Sequence, residues 1–381
     1  MIRWCKRCVL PDTRPRLPFN KEGVCGACVA YEQRRQVDWV AREAEWLQLV
    51  TWAKGRKKPY DALLPVSGGK DSFAQVVKCL ESGLHVLGYS WKPDLRTRLG
   101  QKNLEILIKL GIDHYELTIN PTVMKKLYRR SFEEYGSDAV MHGAVYYSAM
   151  AMAYRFEIPL VIWSENSADV YSGGEWADKD GGPRLNVNWI AVHGSTAGAT
   201  AMDWIGEEVS REDVAPFWCP DDSLISQKGI IPLFMGYYFD FDPTVNYEIA
   251  QKYGFQASRD PLVGIWNFAD LDDPLAVCHH FLKLPKFALL REMDNLSIDI
   301  RAGRLTREQA VKFLAAWGVK TPYKSIYALC RFVGQPKSWF WGIVEKFRNR
   351  EIWQVDERGR WTVPGFLINC EHHDWLTDVL V

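Results

Sequence analysis

The chain has no excess charge of either sign, no apolar run long enough to cross a bilayer, no internal repeat and no low-complexity tract. Lysine plus arginine equal aspartate plus glutamate at 47 each in 381 residues, so bulk electrostatics draw it toward neither nucleic acid nor an anionic membrane. A membrane helix needs about 20 consecutive apolar residues, and without one no membrane insertion is expected. No charged-then-apolar signal segment stands ahead of Cys5, which argues against an oxidising compartment and for a cytoplasmic protein. The 47% hydrophobic content is enough for a large core spread over two or three domains. Most of the 17 tryptophans and 16 tyrosines are expected to pack there.

What is present begins at Ser67-Gly68-Gly69-Lys70-Asp71-Ser72, directly after the apolar run Ala62-Leu63-Leu64-Pro65-Val66. Adjacent glycines allow φ > 0 and leave no Cβ in the way, so successive amides can close around an anion. Lys70 adds a point charge, Ser67 and Ser72 add hydroxyls, and a helix starting at Asp71 would aim its positive end at the same place. Asp71 suits such a site once Mg²⁺ is shared between a carboxylate and phosphate oxygens. The spacing is not that of the nucleoside-triphosphatase loop G-x-x-x-x-G-K-[ST]. It resembles the pyrophosphate-loop signature of enzymes that split ATP between its α and β phosphates, which implies pyrophosphate in the loop and AMP passed to a substrate oxygen. A plain Gly-Gly turn at a strand end is the alternative.

Cys5-x-x-Cys8 and Cys25-x-x-Cys28, with sixteen residues between the pairs, have the spacing of a closed tetrahedral zinc site that serves folding rather than chemistry. A redox or iron–sulfur role uses the same residues. The remaining cysteines, Cys79, Cys219, Cys278, Cys330 and Cys370, lie singly.

Strands read at Ala62–Val66, Leu84–Trp91, around Asp113 to Ile119 and at Pro159–Trp163 alternate with helical patterns near 99–110 and between Pro121 and Arg155. The alternation predicts an α/β fold with a parallel doubly wound sheet, ligands binding at the carboxyl ends of its strands. Residues 164 to about 230 are glycine-rich and read as long irregular loops. The last third reads as mainly helical, with a capping box at Thr306-x-x-Gln309 and helices beginning near Pro322 and Pro336. The expected units are 1–55 (zinc knuckle and linker helix), 56–240 (ATP-binding α/β domain with a Gly-rich insertion) and 241–381 (mainly helical).

Taken together, the two cysteine pairs, the Ser67–Ser72 loop, Asn103 in Gly-Gln-Lys-Asn-Leu, Trp163-Ser164-Glu165-Asn166, Lys286-Phe287 with Arg291, and Asp299–Arg304 leading to Arg307-Glu308 give the chain a wider likeness. It resembles, nearly end to end, the N-acetyl sugar amidotransferases of surface-polysaccharide and nonulosonic-acid biosynthesis, within the pyrophosphate-loop superfamily. It departs from their common pattern at Ser164 and at Asp169–Gly173. The resemblance implies conversion of an acetamido group to an acetamidino group, with ATP, Mg²⁺ and structural Zn²⁺. Lys70, Asp71, Glu165 and Asn166 would be catalytic. Ser67, Gly68, Gly69, Lys70, Asp71, Ser72, Ser90, Trp91 and Gly143 would hold nucleotide. Asn103, Lys286, Arg291 and Arg301 would contact an N-acetyl sugar carried on a nucleotide, and Cys5, Cys8, Cys25 and Cys28 would hold zinc. A strand-end carboxylate such as Glu165 is equally a solvated group or helix cap, and paired surface charges account equally well for the basic residues.

Met1-Ile2 offers no amino-terminal cysteine nucleophile, and no glutaminase-like cysteine elbow is evident. The resemblance therefore implies a partner glutaminase supplying ammonia, with a cyclase-like companion as a conduit. The histidines of Cys278-His279-His280 read as packed or capped rather than as metal ligands, and His142-Gly143 as a helix start or a nucleotide contact. Two rivals remain. One is a tRNA-modifying pyrophosphate-loop enzyme, opposed by the neutral charge and the single cysteines. The other is a nucleotide-sensing scaffold, opposed by the presence of both Lys70 and Asp71.

Overall fold

Three uniformly apolar strands form the centre of one sheet, flanked by a polar edge strand, Asp113–Leu117, and a short apolar one. The computed structural model describes residues 2–172 and 184–365. The strands are β1 (Ala62–Pro65), β2 (Val86–Trp91), β3 (Asp113–Leu117), β4 (Leu160–Trp163) and β5 (Ile231–Phe234). All pair in parallel in the order β3-β2-β1-β4-β5. Alternate residues of the central strand feed opposite cores, as a period of two requires. Leu64 packs with Phe73, Val76, Leu104 and Leu107 on one face. Leu63 packs with Tyr147, Met150 and Ile190 on the other. The sheet is thus covered on both sides by helices that include Lys70–Glu81, Arg98–Ile108 and Ala139–Phe156.

The fifth strand is absent from the sequence reading, which takes residues 164 to about 230 as irregular. It has four residues and contains Pro232, a residue that cannot donate to a ladder and is tolerated at a sheet edge. The same stretch also holds helices Val187–His193 and Asp222–Gln227. Gly173, Gly174, Gly181, Gly182 and Pro183 lie outside the described residues, as does Cys370. The expected capping box forms at Thr306 and Gln309. Helices Tyr323–Val333 and Lys337–Phe347 follow Pro322 and Pro336. Beyond Glu351 the chain makes a short antiparallel hairpin, Gln354–Val355 with Trp361–Thr362.

The amino-terminal knuckle shares a core with the helical region. Cys5, Cys8, Cys25 and Cys28 cluster with Leu127 and Phe132 and with Leu282, Leu296, Leu314 and Phe340. Polar clamps fix the docking: Arg307 Nε donates to the carbonyls of Cys5 and Cys8, each at 3.1 Å, and Arg14 pairs with the buried Asp294.

Candidate functional site

The strand order reverses between β1 and β4, and the Ser67–Ser72 loop leaves the carboxyl end of β1 at that switch point, where open α/β sheets bind ligands. Gly68 has φ +83°, and a Cβ there would lie 2.6 Å from the backbone nitrogen of Leu104. Only glycine fits both the conformation and the approach of the helix Arg98–Ile108. Gly69 is the N-cap of Lys70–Glu81 with no side-chain cap, so the first-turn amides keep their donors for a ligand. Ser72 Oγ accepts from the Ser67 amide at 3.1 Å and Ser67 Oγ from the Gly69 amide at 3.3 Å, bracing the turn.

Lys70, buried, reaches Asp71 Oδ2 at 2.7 Å. The other carboxylate oxygen accepts from Asn246 Nδ2 at 2.8 Å, and Ser164 Oγ lies 3.3 Å from the Asp71 carbonyl. The loop, Glu165 and Arg291 line a cavity of 190 Å³ roofed by Trp266 and Phe268. Arg291 is held by Asp270 at 3.1 Å and Tyr171 at 3.3 Å. Asp270 itself adopts φ +53°, a left-handed conformation that Asp tolerates better than most residues. Burial and the neighbouring Asp71 carboxylate push Glu165 up to about 7, against the pull of Lys70 and Arg291, so it can exchange a proton near neutral pH.

Ser67 also borders a second cavity of 300 Å³, lined by Val66, Tyr89, Trp91, His142 and Asp270. Tyr89 and Trp91 share one face of β2, whereas Ser90 points to the other, where its hydroxyl meets the Val66 carbonyl and His114 Nε2. Of the residues expected to hold nucleotide, the loop and Trp91 therefore line cavities. Ser90 spends its side chain inside the sheet, and Gly143 is buried in the helix Ala139–Phe156 and lines neither cavity.

Other expected site residues are placed differently. Asn103 lines the smaller cavity, but both ends of its amide bind the backbone of Gln256 at 2.9 Å, so it clamps a loop. Asn166 caps the short helix Ser167–Tyr171 through the Ala168 amide. Lys286 donates to the Tyr135 carbonyl at 2.7 Å, and Arg301 to the Val170 carbonyl at 2.8 Å. Neither lines the two cavities beside the loop. The basic residues read from sequence as one group are thus separated, with Arg291 alone beside the loop. Sequence reasoning missed Asn246 and Asp270, for which no local motif exists, and Asp138, whose i,i+4 spacing to His142 was visible.

At the amino terminus, Cys8 and Cys25 Sγ lie 3.6 Å apart and Cys5 and Cys28 Sγ 4.0 Å apart. Sulfurs about 2.3 Å from a shared zinc stand about 3.8 Å apart, whereas a disulfide would hold them at about 2.0 Å. All four are buried, and Cys5 Sγ receives amide hydrogens from Arg7, Cys8 and Cys25 at 3.3–3.5 Å, as a thiolate ligand needs. The donor set fits Zn²⁺.

Residues 245–365 match a family described as LPS biosynthesis protein WbpG-like, C-terminal domain. That segment contributes Trp266, Phe268, Asp270 and Arg291 to the cavity wall and, through Asn246, the hydrogen bond that holds Asp71. Among solved structures the chain is similar to NMN synthetase from Francisella tularensis, at 19% identity over 57% of this chain and 88% of that one, with a TM-score of 0.27. No curated protein matches the chain.

Proposed function

We propose that this protein is an ATP-dependent amidotransferase that activates the acetamido oxygen of an N-acetylated sugar with AMP and exchanges it for ammonia. The observation that carries the reading is the Ser67–Ser72 loop at the β1/β4 switch point, with one cavity on either side of it. An amide carbonyl is a poor electrophile with an oxide leaving group. Attack of its oxygen on the α-phosphorus of ATP breaks the bond to pyrophosphate and leaves an O-adenylyl imidate, whose leaving group is a phosphate monoester. Ammonia then adds to the imidate carbon, a proton is lost, and AMP departs, leaving an acetamidino sugar.

In this reading the uncapped first-turn amides of Lys70–Glu81 and the Lys70 ammonium hold pyrophosphate. Mg²⁺ would be held by Asp71, aimed by Asn246, and would neutralise charge on the phosphates. Trp91 and the larger cavity accept adenosine. Glu165, poised near neutrality, takes the proton from the attacking ammonia, and Arg291 anchors an anionic group of the sugar's carrier. The family matched by residues 245–365 carries an LPS biosynthesis description, which supports a surface-sugar substrate. Ammonia would come from a partner glutaminase, replaceable by ammonium at high concentration.

The test is mass spectrometry of products from ATP, Mg²⁺, ammonium and a panel of nucleotide-linked N-acetyl sugars, with Lys70→Ala as control. A sugar in which NH replaces O, with AMP and pyrophosphate in equal amounts, is expected. AMP release with unchanged sugars and a modified tRNA would overturn the reading in favour of a base-modifying enzyme. Nucleotide binding with no turnover, even with a glutaminase present, would overturn it in favour of a sensor.

A further inference from the structure

We infer that Asp138, His142 and His279 form a second metal site, opening on the larger cavity, for a divalent transition ion of the zinc class. The inference stands on the geometry of these side chains and does not rest on the reaction proposed above.

Asp138 is the N-cap of Ala139–Phe156 but does not cap it with its side chain. The amide of Val140, which an N-cap carboxylate would ordinarily take, goes instead to Ser131 Oγ at 3.2 Å. The Asp138 carboxylate is thereby released from the helix, although it is completely buried. Its Oδ1 lies 3.1 Å from Nδ1 of His142, one turn along the same helix, and 2.9 Å from Nδ1 of His279, on the helix Ala276–Phe287.

Neither approach has hydrogen-bond alignment. Both carboxylate oxygens of Asp138 and Nδ1 of His279 are buried without an aligned hydrogen bond, so the buried carboxylate needs a positive charge beside it, a proton on one ring or a cation shared by all three residues. His142 Nδ1 also lies 3.3 Å from the Asp138 carbonyl, but that carbonyl already accepts from the amides of Met141 and His142 and does not need the ring.

The spacing suits a shared ion. The donor atoms of the three residues all lie within 4.8 Å of one another. Ligands about 2.0 Å from a tetrahedral ion stand roughly 3.3 Å apart, close to the 2.9 and 3.1 Å contacts. Two imidazoles with one carboxylate suit Zn²⁺ and its neighbours better than Mg²⁺, which prefers an all-oxygen shell. Asp270 lines the same cavity, whereas burial favours the neutral forms of Asp272 and Asp273 beside it and the Lys283 ammonium stands nearby, 3.1 Å from His280 Nδ1. Three protein ligands leave a coordination position, which faces a cavity of 300 Å³. An oxygen of a bound ligand, phosphate or carbonyl, would complete the shell there.

Cobalt substitution of the full chain separates this site from the knuckle, because only the four-cysteine site gives thiolate charge-transfer absorption. The wild type is expected to take up about two Co²⁺ per chain, one without thiolate character. His279→Ala and the more accessible His142→Gln are each expected to lose that ion and keep the thiolate signal, which also reports that the fold survives. About one Co²⁺ in the wild type, or about two in both variants, overturns the inference.

Discussion

Asn246 donates its side-chain amide to Oδ1 of Asp71 at 2.8 Å, while Lys70 holds Oδ2 of the same carboxylate at 2.7 Å. A residue 175 positions downstream thus aims the one carboxylate of the loop. Asn246→Ala should leave the fold intact, because a single part-buried hydrogen bond contributes only about 1 kcal/mol. It should raise the Mg²⁺ needed for half-maximal ATP binding by about 10-fold or more. Titrating Mg²⁺ against nucleotide binding checks this, and an unchanged midpoint would mean that Asp71 needs no such support.

The two loop glycines should differ sharply on substitution. Gly68→Ala forces a Cβ to 2.6 Å from the Leu104 backbone at φ +83°, and should cost about 1–3 kcal/mol while abolishing ATP binding. Gly69 has φ −73°, and its added Cβ would meet only Ser67 Oγ at 3.3 Å. Gly69→Ala should therefore be much closer to wild type in thermal unfolding. Equal losses would show that the loop is not held in this conformation.

Glu165 carries a pH signature. Its folded form keeps the proton up to about 7 against an ordinary value of 4.5. The unfolded chain therefore ionises first as pH rises, and the protein loses stability between these two values and no further above them. Glu165→Gln should raise the melting temperature at pH 8 and leave it nearly unchanged at pH 4. If Glu165 accepts the ammonia proton, wild-type kcat/KM should rise through pH 7, and the variant should lose that inflection.

Removing a knuckle ligand should be felt well beyond the knuckle. Cys5→Ser is expected to lower zinc content and solubility. Because Arg307 clamps the Cys5 and Cys8 carbonyls and the cysteines share a core with the carboxyl-terminal helices, it should also lower the unfolding temperature of those helices. Normal zinc content in the variant would remove Cys5 from the set.

Local patterns were legible because their causes are local. The Gly68-Gly69 turn, the cysteine spacing, the capping box at Thr306 and the apolar runs of β1, β2 and β4 each follow from the needs of neighbouring residues. The fifth strand was hidden because edge position, a tertiary fact, is what makes Pro232 acceptable there. Lys286 and Arg301 read like Arg291 in sequence, yet both donate to backbone carbonyls away from the loop, since which cation meets the cavity depends on how the carboxyl-terminal helices pack.

By itself the sequence determined the α/β class, the anion-binding turn and the four-cysteine knuckle, all of which are encoded within a few residues by backbone sterics, short apolar runs alternating with helical patterns, and ligand spacing. Only the tertiary structure decided that Asn246 aims Asp71, that burial and Asp71 together raise Glu165, and that Asp138 and His142 meet His279. Each of these depends on residues more than 90 positions apart, whose approach is set by the packing of helices and not by any pattern along the chain.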